Sequence, residues 1–268
     1  MSPAAVRICR GIAAEWTRTA GRGFLWTVAV PLAILLPLLV TFGIAAVAER
    51  FATIPGQLEV MSVATANSVY WVITSAVSVL TVTAAYAHAA AQRGRTSDLA
   101  AFLFPRAWTM ALARWIFYGV VAALVTLVLL VLIMTVLPLR FPHVYGAVDI
   151  GSPAGIRFLW TVPLYAFIAC GIGIAVGSVV RAPAAAVAVV LFWVHLVENS
   201  ISLLPNGYAL QAYAPFLNGV AATGQEMAFL PRFGPTGSLI YFLAVAVTLF
   251  LFSVAVRAAA PLRRRRIR

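Results

Sequence analysis

Charge is spaced along this chain in a way that few folds accept. Residues 23–48, 60–92, 115–139, 158–180 and 233–256 contain no Asp, Glu, Lys or Arg. About 20 apolar residues of helix cross the hydrocarbon core of a bilayer, so each run is long enough for a membrane span. A sixth candidate, Ala182 to Leu204, is apolar apart from His195, Glu198, Asn199 and two serines, and reads as a span carrying a carboxylate. The expected helices are 24–47, 66–91, 115–138, 156–180, 184–204 and 236–257. Composition points the same way: 63% of residues are hydrophobic, 10% are charged and the mean hydropathy is +1.00, where a soluble domain carries about 25% charged residues. The expected fold class is an all-α integral membrane protein of six transmembrane helices, with residues 1–268 forming a single transmembrane domain.

Nineteen basic residues face seven acidic ones, a net charge of +12, and every basic residue is an arginine. Cytoplasmic flanks of membrane spans hold the excess of positive charge. With both termini cytoplasmic, fifteen of the arginines lie on that side, and only Arg50, Arg140, Arg157 and Arg232 lie outside. The bacterial cytoplasmic membrane is the expected location. The Arg263–Arg266 run reads as an anchor on anionic lipid rather than a nucleic-acid site. Four arginines and Glu15 ahead of a 26-residue apolar run argue against a cleavable signal. The absence of lysine excludes a P-loop and Schiff-base chemistry, so any ATP used must be bound by a partner chain. Cys9 and Cys170 fall at different depths and are expected to be free thiols.

Residues 4–20 have helical periodicity. Arg7, Arg10 and Arg18 gather on one side and Ile8, Cys9, Ile12, Ala13 and Trp16 opposite, the pattern of an amphipathic helix lying in the lipid interface. In the cytoplasmic loop 93–114, Thr96, Ser97 and Asp98 offer N-cap side chains before Leu99, Phe102 and Leu103, and Pro105 ends the short helix. This apolar stripe has no core of its own, which points to a partner surface; folding back onto the bilayer is the alternative. The outer loop 205–235 is long for a compact domain. Its prolines and apolar pieces, Tyr208–Leu217 and Met227–Leu230, suggest short re-entrant segments buried against protein.

Ionisable groups inside a membrane are costly and mark candidate sites. On the fifth span His195, Glu198, Asn199 and Ser202 share one face. On the second, Asn67, Thr74, Thr81 and His88 recur every seven residues with Ser78 among them. The two stripes suit either a water-accessible path or polar packing between helices. Glu198 has a structural, gating or proton-carrying role open to it, alone or paired with His195 one turn back. Gly173 and Gly177 permit a close helix contact. The three histidines are too far apart along the spans to hold one metal ion, and no catalytic constellation is evident.

Two segments carry a family resemblance. The run Arg95-Thr-Ser-Asp-Leu-Ala-Ala-Phe-Leu-Phe-Pro105-Arg106, with Ala113-Arg114 opening a span, resembles the first cytoplasmic loop of bacterial ABC type-2 permeases. The segment Leu191-Phe-Trp193-Val-His-Leu-Val-Glu198-Asn-Ser, followed by Leu204-Pro205 and Ala214-Pro215-Phe216, is similar to the fifth helix and outer loop of actinobacterial members. Thr96-Ser97 stands where Gly-Thr is more usual, and Ala107 where a second arginine is frequent. The resemblance implies the permease subunit of an ATP-driven exporter. It implies pairing with a second permease, identical or homologous, and with two ABC ATPase subunits that bind ATP and Mg. Asp98, Leu99, Phe102, Leu103, Pro105 and Arg106 would form the coupling helix. An ion-coupled secondary transporter using His195 and Glu198 is the alternative.

Overall fold

The computed structural model describes residues 3–21, 23–54, 61–93, 107–227 and 231–265 and is helical, with no strand among the described residues. The helices are α1 (Pro3–Thr19), α2 (Leu25–Ala52), α3 (Thr65–Ala90), α4 (Ala107–Arg140), α5 (Pro142–Tyr145), α6 (Pro153–Val180), α7 (Pro183–Leu203), α8 (Gly207–Gln211), α9 (Pro215–Thr223) and α10 (Gly234–Arg265). Six of them, α2, α3, α4, α6, α7 and α10, are long and apolar enough to cross a membrane, as in a multi-pass membrane protein. The coupling residues Asp98, Leu99, Phe102, Leu103, Pro105 and Arg106 lie outside the described residues.

The observed helices follow the expected ones, and the largest differences are three: α2 runs on through Glu49 and Arg50 to Ala52 rather than ending at 47, and the other two are in α4 and α10. α4 begins at Ala107 rather than 115, and α10 continues to Arg265 rather than ending at 257. Charge spacing places Arg114 outside a helix core, whereas Arg114 is buried inside α4 because a carboxylate from α1 meets it.

The centre of the bundle is the α3/α6 pair: 72% of the apolar window of α6 and 67% of that of α3 is buried, against 17% for α7. Their seam is glycine. A Cβ on Gly173 would overlap the Thr81 carbonyl oxygen, and one on Gly177 the Ala85 carbonyl oxygen, so only glycine lets the two backbones approach this closely. Gly171 lies under the Trp115 ring of α4, whose Nε1 donates to the Phe167 carbonyl at 3.0 Å. α7 joins the seam through Ala186 and Val190, packed on Ala85 and Ala89 of α3. α2, α7 and α10 turn rows of exposed apolar side chains outward, among them Leu35, Leu39, Phe192, Leu196, Leu251 and Phe252. A helix facing hydrocarbon presents such a surface.

α1 packs along α4 on the side formed by Gly11, Glu15 and Thr19. The Ile8–Ile12–Trp16 side is not its buried face: Trp16 is 58% exposed and meets Trp26 and Phe117 edge-on. Arg7 is half-buried and Arg10 exposed. In the 205–235 segment, α9 is buried against α6 and α10. Phe216 contacts Phe242, Gly219 lies on the Tyr165 ring, Ser238 donates to Asn218 Oδ1 at 3.1 Å and Arg157 donates to the Ala222 carbonyl at 2.8 Å.

Candidate functional site

α3 and α7 diverge at the end of the bundle where α8 and α9 lie, and enclose a cavity of about 500 Å³. This is within the range of sites for drug-sized ligands. Thr74 and Ser78 line it from α3, and His195, Glu198, Asn199 and Ser202 from α7, so six of the nine residues singled out on the two stripes share one cavity. Tyr70, Trp71, Tyr208, Gln211, Glu226 and the floor residue Tyr165 complete the polar and aromatic wall. Counted from Thr65, Ser78 is about 20 Å along α3 at about 1.5 Å per residue, so the cavity reaches roughly the middle of that helix.

Local backbone geometry aims these side chains. α3 and α7 each contain a widened π-helical turn, at Val72–Ala76 and Phe192–Val197, and both turns contribute to the wall. Such turns rotate the following side chains relative to a regular helix and are frequent at functional sites. Thr74 and Ser78 donate to carbonyls one turn back, Tyr70 at 2.9 Å and Thr74 at 2.6 Å, so their hydroxyls meet the cavity without unmet donors. Asn67 stands just outside the wall, donating to Glu226 Oε2 at 2.6 Å and accepting from Gln225 Nε2 at 2.8 Å. Thr81 is elsewhere: it is fully buried in the glycine seam and its Oγ1 has no hydrogen-bond partner among the described residues.

Glu198 is fully buried. Its Oε1 accepts from Trp193 Nε1 at 2.8 Å and from the Phe216 backbone N–H at 3.0 Å, and its Oε2 accepts from the Leu217 N–H at 2.8 Å. α9 starts at Pro215 behind Ala214, which has no capping side chain, so the first N–H groups of that helix lack partners of their own. Glu198 supplies them across space and places a negative charge where the helix dipole favours one. Gln211 Nε2 closes the same joint by donating to the Glu198 carbonyl at 3.2 Å. The His195 ring makes no hydrogen bond to Glu198 or to any other described residue. Sequence reasoning missed Trp193, Gln211 and the α9 terminus as partners of Glu198. The legible signal was Ala214-Pro215, a helix start without a cap.

A second carboxylate acts in the same way. Glu49, at the far end of α2, accepts from the His143 N–H at 3.1 Å, from His143 Nδ1 at 2.6 Å and from the Val144 N–H at 3.0 Å, capping α5.

The other end of the bundle holds a buried ionic cluster. Glu15 of α1 is fully buried. It accepts from Arg114 Nε at 2.6 Å and from Arg18 at 2.9 Å and 2.5 Å. Burial opposes the charge of Arg18, yet the Glu15 carboxylate and the Tyr118 hydroxyl together outweigh it and the Arg18 pKa is raised. Arg114 Nη1 lies 3.3 Å from His88 Nδ1. The other ring nitrogen, Nε2, lies 2.8 Å from Ser178 Oγ. Arg257 of α10 approaches Nε2 at 3.5 Å. The cluster thus joins α1, α3, α4, α6 and α10. Its keystone, Glu15, was not among the residues singled out from the sequence.

Comparison of the chain with protein families, curated proteins and solved structures finds no match.

Proposed function

We propose that this chain is the membrane subunit of an ATP-driven exporter of the ABC type-2 class. The observation that carries the reading is mechanical. Residues 93–107 connect α3 to α4, and both flanking helices are fixed into one buried cluster: His88 near the end of α3, Arg114 near the start of α4. A push on that segment is delivered to α1, α3, α4, α6 and α10 together. At the opposite end, α3 and α7 open on a cavity of suitable size for a small cargo. In this reading the termini and the 93–107 segment are cytoplasmic, α1 rests at the lipid interface with Arg7, Arg10 and Trp16 toward the headgroups, and the cavity faces outward. The permease pairs with a second copy or a homologue, and two ATPase subunits bind ATP and Mg. The bacterial cytoplasmic membrane is the location it implies. Against the ion-coupled alternative stands the engagement of Glu198 by three N–H donors, none of them His195.

The test is a coupling assay with an ABC ATPase, sought in the reading frames neighbouring this one, co-expressed and reconstituted with the chain. Phe102→Asp should abolish ATPase stimulation by the permease while insertion and yield stay normal. Unchanged stimulation, or transport driven by an ion gradient without ATP, would overturn the proposal.

A further inference from the structure

The chain carries nineteen arginines and a net charge of +12, yet no arginine lines the α3/α7 cavity among the described residues, while two glutamates do. A strongly basic protein thus has an acidic cavity. The two carboxylates are not equivalent. Of the five described acidic residues, Glu15 is held by two guanidinium groups, Glu49 caps α5, Asp149 closes the turn before α6 by accepting from the Gly151 N–H, and Glu198 caps α9. Glu226 is the exception. It is exposed, and its side chain accepts a single hydrogen bond, from Asn67 to Oε2. Its other oxygen is free of described partners at the cavity wall.

Ring surfaces share the cavity wall with it. Tyr208 is 72% exposed, Tyr70 is 45% exposed and Trp71 is half-buried, and all three line the same space. A carboxylate beside aromatic faces in a partly wet pocket attracts a cation with apolar substituents, because ring quadrupoles and the negative charge act on it together. An anion of equal size meets Glu198 and Glu226 with no arginine to receive it.

We propose that the cavity binds a lipophilic organic cation, with Glu226 as its charge partner and Trp71, Tyr70 and Tyr208 as its ring contacts. This assigns a substrate class to the cavity and rests on the exporter reading only in taking that cavity as part of the transport path.

The experiment is equilibrium dialysis of the full chain in lipid nanodiscs against tetraphenylphosphonium and, separately, tetraphenylborate, an anion of nearly the same shape, with empty nanodiscs subtracted. Saturable binding of the cation and none of the anion is expected. Glu226→Gln should weaken cation binding about tenfold, loss of a close charge in a partly wet site, and Trp71→Ala about fivefold, loss of one ring contact. Glu226→Arg should abolish cation binding. Absence of saturable cation binding, anion binding equal to or tighter than cation binding, or wild-type affinity in Glu226→Gln would overturn the assignment. The comparison of the two ions on the wild-type chain needs no variant and stands if one fails to fold. Neither arm uses ATP. Failed cation selectivity with intact, Phe102-dependent ATPase coupling would remove the substrate class and leave the exporter; selective cation binding without coupling would do the reverse.

Discussion

Glu15 offers the sharpest test of how the bundle is held together. Its carboxylate meets Arg114, which is 5% exposed, and Arg18, whose side chain is 40% exposed. The two contacts are unequal. The Arg18 pair is screened by solvent and contributes at most about 1 kcal/mol. Arg114 has no route to water, and removing one member of a buried pair costs about 3–5 kcal/mol because the remaining charge is uncompensated. Glu15→Leu should therefore destabilise the protein by roughly 3–5 kcal/mol, and Arg114→Leu by a similar amount, since it leaves the Glu15 carboxylate buried with only Arg18 beside it. Glu15→Leu/Arg114→Leu removes both charges, and the double variant should be less destabilised than the sum of the singles by at least about 2 kcal/mol. Reversible unfolding in mixed micelles, followed by the fluorescence of the seven tryptophans, measures all four corners of the cycle. Additive single effects, or a Glu15→Leu penalty below about 1 kcal/mol, would refute the reasoning, because the pair would then behave as a surface ion pair.

Two further outcomes follow from the geometry. Glu198→Gln turns an amide donor toward one of the three N–H groups that the carboxylate accepts, and Glu198→Leu leaves all three unmet. Stability should fall by about 1–3 kcal/mol for the first and by more for the second. Equal stability of wild type and Glu198→Leu would show that α9 does not depend on this cap. Topology has a native reporter: Cys9 is exposed and Cys170 buried. A membrane-impermeant maleimide should label Cys9 only from the cytoplasmic side, and Met61→Cys in a Cys9→Ser background, at an 86% exposed position, only from outside. Labelling of both from one side would overturn the proposed orientation.

The helical architecture was legible because hydrocarbon imposes a length and excludes charge, and both leave marks in one dimension. Five spans could be placed from the gaps between charges, and the sixth from an apolar run that carries one carboxylate. What that method could not see is charge cancelled in three dimensions. Arg114 and Glu15 are separated by 99 residues, and Arg114 marks a helix boundary until the partner is known. The α1 helix shows the same limit: periodicity found its apolar side, while its packed side is the Gly11–Glu15–Thr19 row chosen by a partner on α4. Glu198 was recognisable as a candidate from its type and depth. Its role was not, because the N–H groups that it caps begin eighteen residues later, at the end of a loop whose path no local rule fixes.

The polar repeat on α3 carries the same lesson into the site itself. Asn67, Thr74, Thr81 and His88 are spaced by seven, which on a helix is one face, and one face suggests one task. The structure gives the four residues four environments, because the partner along that face changes with depth. Asn67 meets the loop residues Gln225 and Glu226. Thr74, one π-widened turn further on, meets the cavity. Thr81 meets the backbone of α6 at Gly173, where there is no room for a ligand. His88 meets two arginines and Ser178. The cavity therefore ends where glycine draws α6 against α3, and the ionic cluster begins on the other side of that contact. α3 is the element common to both ends, and in the proposed exporter a displacement of its last turn would reach the wall at Thr74 and Ser78 through close-packed helix. That route would run through the glycine seam, since a side chain at Gly173 would force the two backbones apart.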